Sequence, residues 1–196
     1  MPEIGAIILA GGQATRMGGE KALRVLRGKT LLEHAVEICR NLSGRIVIAV
    51  GPRKIAVPQG AIAVSDAAEH ANCGPLAGIA AGMRALGKGR AVVLACDLPN
   101  IPAALLKRLA AQAEPVAFCE HGGQPEPLVC ALDVATMLPK VRDVLATRQL
   151  KVVPLWKNNG AKILRDADLT EFAPLERTFA NVNTLQELEG EQRRSQ

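Results

Sequence analysis

Aromatic side chains are scarce: the 196 residues include no tyrosine, one tryptophan and three phenylalanines. Proteins that stack successive nucleobases need several aromatic platforms, so this shortage argues against a nucleic-acid-binding module. Long apolar runs are missing as well. No stretch approaches the roughly 18 residues of a membrane span, and the opening "MPEIGAIILAGG" has no basic region of the kind a signal peptide carries. Cys39, Cys73, Cys96, Cys119 and Cys130 make an odd set with no C-x-x-C pair. Most lie in apolar runs, which predicts reduced core thiols in place of disulfides or a zinc site. His34, His70 and His121 have no metal-ligand spacing to one another or to a cysteine; His34 reads as a core-margin or surface residue, and His70 and His121 as residues of polar loops. No Ser-His-Asp arrangement is recognisable. These absences leave a cytoplasmic protein with no nucleic-acid partner and no membrane.

What the chain does hold is Ala, Val, Ile and Leu, with 48% hydrophobic residues and a net charge of +5. The cations are dispersed, as suits a small polyanionic substrate. Strand-like and helix-like segments alternate. "IGAIILA" (4–10), "RIVIAVG" (45–51), "AIAVSD" (61–66), "RAVVLACD" (90–97), "PVAFCE" (115–120) and "PLVCALD" (127–133) read as strands. Residues 30–42, 76–86 and 102–113 read as helices, the first with Thr30 and Glu33 as a capping box. Pro139 predicts a break between two short helices in "VATMLPKVRDVLATR". Pro154 leaves 150–160 ambiguous, "TFANVNT" (178–184) reads as a short strand, and "LQELEGEQRR" as a closing helix. Trp156 reads as a packing residue. The pattern is α/β with a mostly parallel sheet, helices on both faces and ligands at the carboxyl ends of the strands.

Three strand ends carry chemistry. After the first strand, "LAGGQATRMGGEK" places glycines where a backbone can approach an anion, with Arg16 and Lys21 adding charge. It is neither G-x-G-x-x-G nor a Walker A loop; "GKT" at 28–30 fails because Leu23 stands where that loop needs glycine. After the "RAVVLA" strand, Asp97 is placed to hold a divalent metal that bridges phosphates. In "NCGPLAG" (72–78), Gly74 and Pro75 open a helix whose free N–H groups can read a nucleobase edge. Asn181 and Asn183, two residues apart, would share one face of a strand, as helix caps or as polar ligand contacts.

In this order, "LAGGQATRMGGEK", "GPLAG", "CDLPNIP" and "NVNT" resemble the molybdenum cofactor guanylyltransferases, of the nucleotidyltransferase superfamily. The likeness runs from residue 5 to about 189, and "QPEPLVCAL" (124–132) resembles the family segment that precedes its substrate-binding part. It implies a Rossmann-like three-layer α/β/α fold of the nucleotide-diphospho-sugar transferase type, one domain over 1–196. The half at about 1–100 would bind nucleotide and the half at about 101–190 the acceptor.

The resemblance also implies roles. Leu9, Ala10, Gly11 and Gly12 would contact the nucleotide, their amides on phosphate. Arg16 and Lys21 would hold the triphosphate, and Asp97 would ligate Mg2+. Asp66 would help fix the guanosine, and Gly74, Pro75 and Leu76 would line the base pocket. Asn181 and Asn183 would lie near the acceptor phosphate or the metal. "AVGPRK" (49–54) stands where some members have an asparagine, with Arg53 as its substitute. The implied substrates are GTP and molybdopterin, with transient contacts to molybdoenzyme apoproteins or their chaperones. The alternatives are cytidylyl or other nucleotidyl transfer on the same fold, or a non-catalytic carrier of nucleotide or pterin cofactor.

Overall fold

The computed structural model describes residues 3–11, 21–52 and 55–193. Gly12, Arg16 and Arg53, singled out above, lie outside them. The first strand, β1 (Ile4–Leu9), is followed by a small hairpin of β2 (Val25–Leu26) and β3 (Lys29–Thr30) and by helix α1 (Leu31–Arg40). Thr30 caps α1 as expected: Glu33 N donates to Thr30 Oγ1 at 3.1 Å, and Thr30 N to Glu33 Oε2 at 2.7 Å. Next come β4 (Ile46–Ala49), β5 (Ala61–Val64), α2 (Pro75–Leu86), β6 (Arg90–Ala95), α3 (Ala103–Ala110), β7 (Val116–His121) and β8 (Gln124–Asp133). The rest is α4 (Val134–Ala146), α5 (Val152–Asn158), β9 (Lys162–Leu164), α6 (Leu175–Thr178) and α7 (Leu185–Arg193).

Seven strands form one sheet in the order β5-β4-β1-β6-β8-β7-β9. Only β8 runs against the others, since it alone pairs antiparallel, with β6 and with β7. Along β1 the side chains alternate, as the period of a strand requires. Ala6 and Ile8 enter one core with α1 and α3, and Ile7 and Leu9 the other with α2, α4 and α5. The sheet is therefore the middle of three layers, and each fully buried Leu or Ile contributes roughly 1.5–3 kcal/mol. Helix α2 comes close to β1 because a Cβ at Gly82 would stand 2.6 Å from Ile7 Cγ2.

Four readings need correction or completion. Helix α4 passes through Pro139 without a break; burial of Val134, Met137, Val141 and Leu145 along one side outweighs the hydrogen bond that proline forfeits. Pro154 is the third residue of α5, in the first turn, where no intrahelical N–H partner is needed. The strand read from "RAVVLACD", β6, opens not on an apolar side chain but on a buried Arg90, whose Nη1 donates to Glu114 O at 2.7 Å.

The fourth correction concerns "TFANVNT", which is not a strand: Thr178 ends α6 and residues 179–184 have no ladder. Their backbone donors are taken elsewhere. Val182 N donates to Asp97 O at 2.9 Å, while Asn183 N and Thr184 N donate to Glu187 Oε2 at 2.6 and 2.9 Å. With Glu187 N returning to Thr184 Oγ1 at 3.1 Å, "T-L-Q-E" is a second capping box, a signal legible in the sequence that the strand reading overlooked. The five cysteines are free and buried, as expected. No helix among the described residues is long and apolar enough to cross a membrane.

Candidate active site

Because β5, β4, β1 and β6 are parallel and β8 opposes them, one edge of the sheet collects the ends of the first four and the start of β8. At its centre, just past β6, the side chain of Asp97 meets two distant segments. Lys21 Nζ stands 2.5 Å from Asp97 Oδ2 and 2.5 Å from Asn183 Oδ1. Lys21 opens the single 3-10 turn that leads into β2. Asn183 is delivered by the 179–184 segment, which is tied to Asp97 itself through Val182. An anionic and a neutral oxygen thus converge on one cationic point.

Asp66, two residues past β5, lies on one side of that centre. Its Oδ1 is buried and has no hydrogen-bond partner among the described residues. It faces Gly78 of α2, where a Cβ would come within 3.9 Å of it. Burial pushes the Asp66 pKa up, and His70 pulls it partly back. Such a carboxylate oxygen calls for an incoming N–H or O–H donor. Helix α2 begins beside it with Gly74 at φ 67° as N-cap and Pro75 at the first helical position. Gly74 and Pro75 are exposed, but the Leu76 side chain is fully buried in the core beneath α2. Only its backbone is left to face a ligand.

At the end of β1, Ala10 N and Gly11 N both donate to Ala49 O at 3.0 Å. Their amides are spent on β4 and do not open toward a phosphate, contrary to expectation. A Cβ on Gly11 would stand 3.0 Å from Gly51 N, so this glycine lets two strand ends cross closely. Asn181 and Asn183 also part company. Asn181 lines a pocket of about 350 Å³ with Gln186, Glu187 and Gly190 of α7, whereas Asn183 reaches Lys21.

The other side of Asp97 holds residues that the sequence did not single out. His121 is the last residue of β7 and not a loop residue. Its Nδ1 lies 3.0 Å from Asp166 Oδ1, and its ring stacks on Phe179 at 5.4 Å between centroids. Asp166 also accepts from Gly122 N at 3.1 Å; the contacts from His121 and Gly122 hold its pKa down. Glu126 stands near the start of β8, half-buried, its pKa raised by burial and by Asp97 and lowered by His121. "QPEPLVCAL" flagged this stretch, and the strand read from Pro127 begins three residues earlier, at Gln124, with Glu126 inside it. Pro125 and Pro127 precede the part of β8 that pairs with β6, which starts at Val129, so the missing N–H groups interrupt one ladder at most. His34 Nε2 lies 2.7 Å from Leu26 O, and buried Trp156 donates to Pro127 O at 3.0 Å; both are structural.

The thiols take no part. Burial lifts Cys39, Cys96 and Cys119 to about 12 and Cys130 higher still, far from nucleophilic thiolates. Among the described residues no cluster of three or more His, Cys, Asp or Glu side chains could hold a metal. Any ion at Asp97 would complete its shell with amide, phosphate and water oxygens, as Mg2+ does.

A strand-end anion gripped by a lysine, an orphan carboxylate beside a helix start, and further polar groups across the sheet suit a nucleotidyl-transfer cleft. Comparison with known proteins agrees. The family model described as the MobA-like NTP transferase domain matches residues 6–158. The chain is 32% identical to a molybdenum cofactor guanylyltransferase of Shewanella amazonensis over 95% of this chain and 94% of that protein. It is 31% identical to one from Pseudomonas putida over 96% and 97%. In fold it is similar to the crystal structure of molybdopterin-guanine dinucleotide biosynthesis protein A from Archaeoglobus fulgidus (TM-score 0.81, 22% identity, 97% of each chain). A 2-C-methyl-D-erythritol 4-phosphate cytidylyltransferase from Thermus thermophilus shares the fold at TM-score 0.70 and 18% identity over 98% of each chain. The chain belongs to the molybdenum cofactor guanylyltransferases, nucleotidyltransferases built on the MobA-like NTP transferase domain.

Proposed function

We propose that the protein transfers the GMP unit of GTP to the terminal phosphate of molybdopterin, releasing pyrophosphate and forming a pterin–guanine dinucleotide. The observation that carries this reading is the Lys21–Asp97–Asn183 triangle. It sits past β6, between the strands that end near Asp66 and those that carry Glu126 and His121. The nucleotide-binding half at about 1–100 and the acceptor half at about 101–190 meet there. Asp66 takes the N–H donors of guanine, and the start of α2 at Gly74, Pro75 and Leu76 lies alongside the base. Leu9, Ala10, Gly11 and Gly12 lead into the loop whose Arg16 joins Lys21 on the triphosphate. Asn181 stays an acceptor-side candidate.

The acceptor phosphate is already an anion, so no general base is required, and catalysis rests on in-line positioning and charge neutralisation. Asp97 and Asn183 fit Mg2+, because their two hard oxygens already converge on a cation; when bound, the ion offsets charge on the triphosphate and on departing pyrophosphate. Lys21 exchanges Asp97 and Asn183 for phosphate oxygens when the triphosphate enters. Five buried thiols suit a reducing cytoplasm, where the product passes to molybdoenzyme apoproteins or their chaperones.

The test is pyrophosphate release from GTP in the presence of Mg2+ and molybdopterin, with CTP, UTP and ATP as competitors. Release that needs both substrates and is blocked well only by guanine nucleotides is the expected result. Binding without release makes the protein a carrier, and preference for CTP makes it a cytidylyltransferase.

A further inference from the structure

GTP and a pterin present the same edge to a protein: a ring N–H beside an exocyclic amino group, two parallel donors on a 2-amino-4-oxopyrimidine. A carboxylate accepts both at once. If the transferase reading holds, one protein must seat two such edges on opposite sides of the transferred phosphate. Asp66 is an orphan carboxylate on one side of Asp97. On the other side we propose that Glu126 receives the aminopyrimidinone edge of the acceptor, with the stacked His121–Phe179 pair as the wall beside its rings.

Register places Glu126 there. The β6–β8 pairing runs antiparallel from Arg90↔Asp133 to Leu94↔Val129. Beyond that pair the start of β8 brings Glu126 close enough to Asp97 for the two carboxylates to repel each other. On the far side Glu126 pairs with Cys119, so their side chains share a face, and His121, two residues on, points the same way. Cys119 and Phe179 belong to one buried cluster. One of only three phenylalanines in the chain is used at this wall.

The carboxylate is held stiffly. Pro125 and Pro127 flank it, and the β7–β8 register slips between Phe118 and Cys119, a bulge of the kind that re-aims a side chain. From the opposite face, fully buried Trp156 fixes Pro127 O at 3.0 Å. Its charged neighbours are satisfied: His121 by Asp166, and Glu120 by Arg165 at 3.0 Å. Glu126 alone in this group has no hydrogen bond or ion pair among the described residues, although it is half-buried and feels Asp97. Its half-buried carboxylate therefore keeps open acceptor capacity that an arriving pair of N–H groups can take.

The test compares wild type, Glu126→Gln and Asp66→Asn in binding 2-amino-4-oxopteridine and 2,4-dioxopteridine, followed by pteridine fluorescence. The dioxo ring replaces the amino donor with a carbonyl. Wild type should favour the amino ring by about tenfold or more, the scale of one lost charge-assisted bond. Glu126→Gln, which offers one acceptor and one donor, should lose or reverse that preference, and Asp66→Asn should keep it. The preference is a ratio within one protein, so partial misfolding does not imitate it. In turnover, Glu126→Gln should raise the molybdopterin KM about 10- to 100-fold and leave the GTP KM and the Mg2+ requirement unchanged. A wild-type preference retained in Glu126→Gln overturns the assignment, as does a shift in GTP or Mg2+ dependence. Wild type that discriminates the rings through Glu126 but makes no dinucleotide overturns the transferase reading instead. Wild type that neither discriminates nor transfers overturns both.

Discussion

Lys21 is held by two oxygens, which under the proposed mechanism it releases to serve a triphosphate. Removing it, or Asp97, takes away a preorganised charge, so Lys21→Ala and Asp97→Ala should each lower kcat by on the order of 10²-fold or more. Steady-state pyrophosphate release checks this; near-normal turnover in both variants would sink the proposed mechanism. Asp66 yields a prediction of another kind. Burial holds its pKa above the ordinary 3.8, so the folded protein binds this proton more tightly than the unfolded chain does. That contribution is fully present below the ordinary value and is lost as pH rises through the raised one. Asp66→Asn removes the loss, and its Tm advantage over wild type should be absent in acid and grow toward neutrality while GTP affinity falls. A Tm difference that shrinks with rising pH would contradict the assignment. Of these site residues, Asp97 was legible because it closes an apolar strand just before Leu98-Pro99, and Lys21 because it follows the glycine-rich loop after β1, whereas Asp66 came only with the family resemblance. Glu126 was not legible, since it stands one residue before Pro127, where the strand was read to begin, and neither was the partnership of His121 with Asp166 and Phe179, which depends on contacts between distant segments.

Single elements carry the second tier of control. Helix α2 approaches β1 because Gly82 has no side chain. Gly82→Ala gains about 1 kcal/mol of helix propensity, but its Cβ would press on Ile7 Cγ2 and Cγ1 at 2.6 and 2.9 Å. Ile7 is fully buried and β-branched and has no room to yield, so overpacking wins and denaturant unfolding should show a net loss of about 1–3 kcal/mol. The first turn of α7 sets the position of Asn183 through Glu187, so Glu187→Ala should cost about 0.5–2 kcal/mol as a lost cap. Its activity should also fall, less than in Asp97→Ala and with a raised Mg2+ requirement; an unchanged metal titration would refute that positioning role. Elements with clean periodicity, such as α1 and its capping box, were readable. Helix α4 was not, because the core contacts that carry it through Pro139 come from elements far away in the chain, and 179–184 was not, because Asp97 and Glu187 take the amides that a ladder would need.

At the scale of the whole molecule, the proposed reading has one sheet seat two ligands on either side of β6. A nucleotide that binds only the folded state should stabilise it by about 2.7 kcal/mol at a hundredfold excess over its Kd. For a chain of this size each kcal/mol moves Tm by roughly 2–4 °C. GTP with Mg2+ should therefore raise Tm by about 5–11 °C in a thermal melt, and CTP by clearly less at the same concentration; equal shifts would remove the guanine preference.

The bond between Lys21 and Asn183 spans 162 positions of the chain, and the Arg27–Glu191 ion pair, at 2.8 Å, ties α7 back to the hairpin of β2 and β3. During synthesis the strands of the sheet emerge before Asn183 and can begin to pair, while the oxygen that completes the Lys21 triangle follows 162 positions after that lysine. A nascent chain can therefore have most of its sheet in place while this triangle is still open.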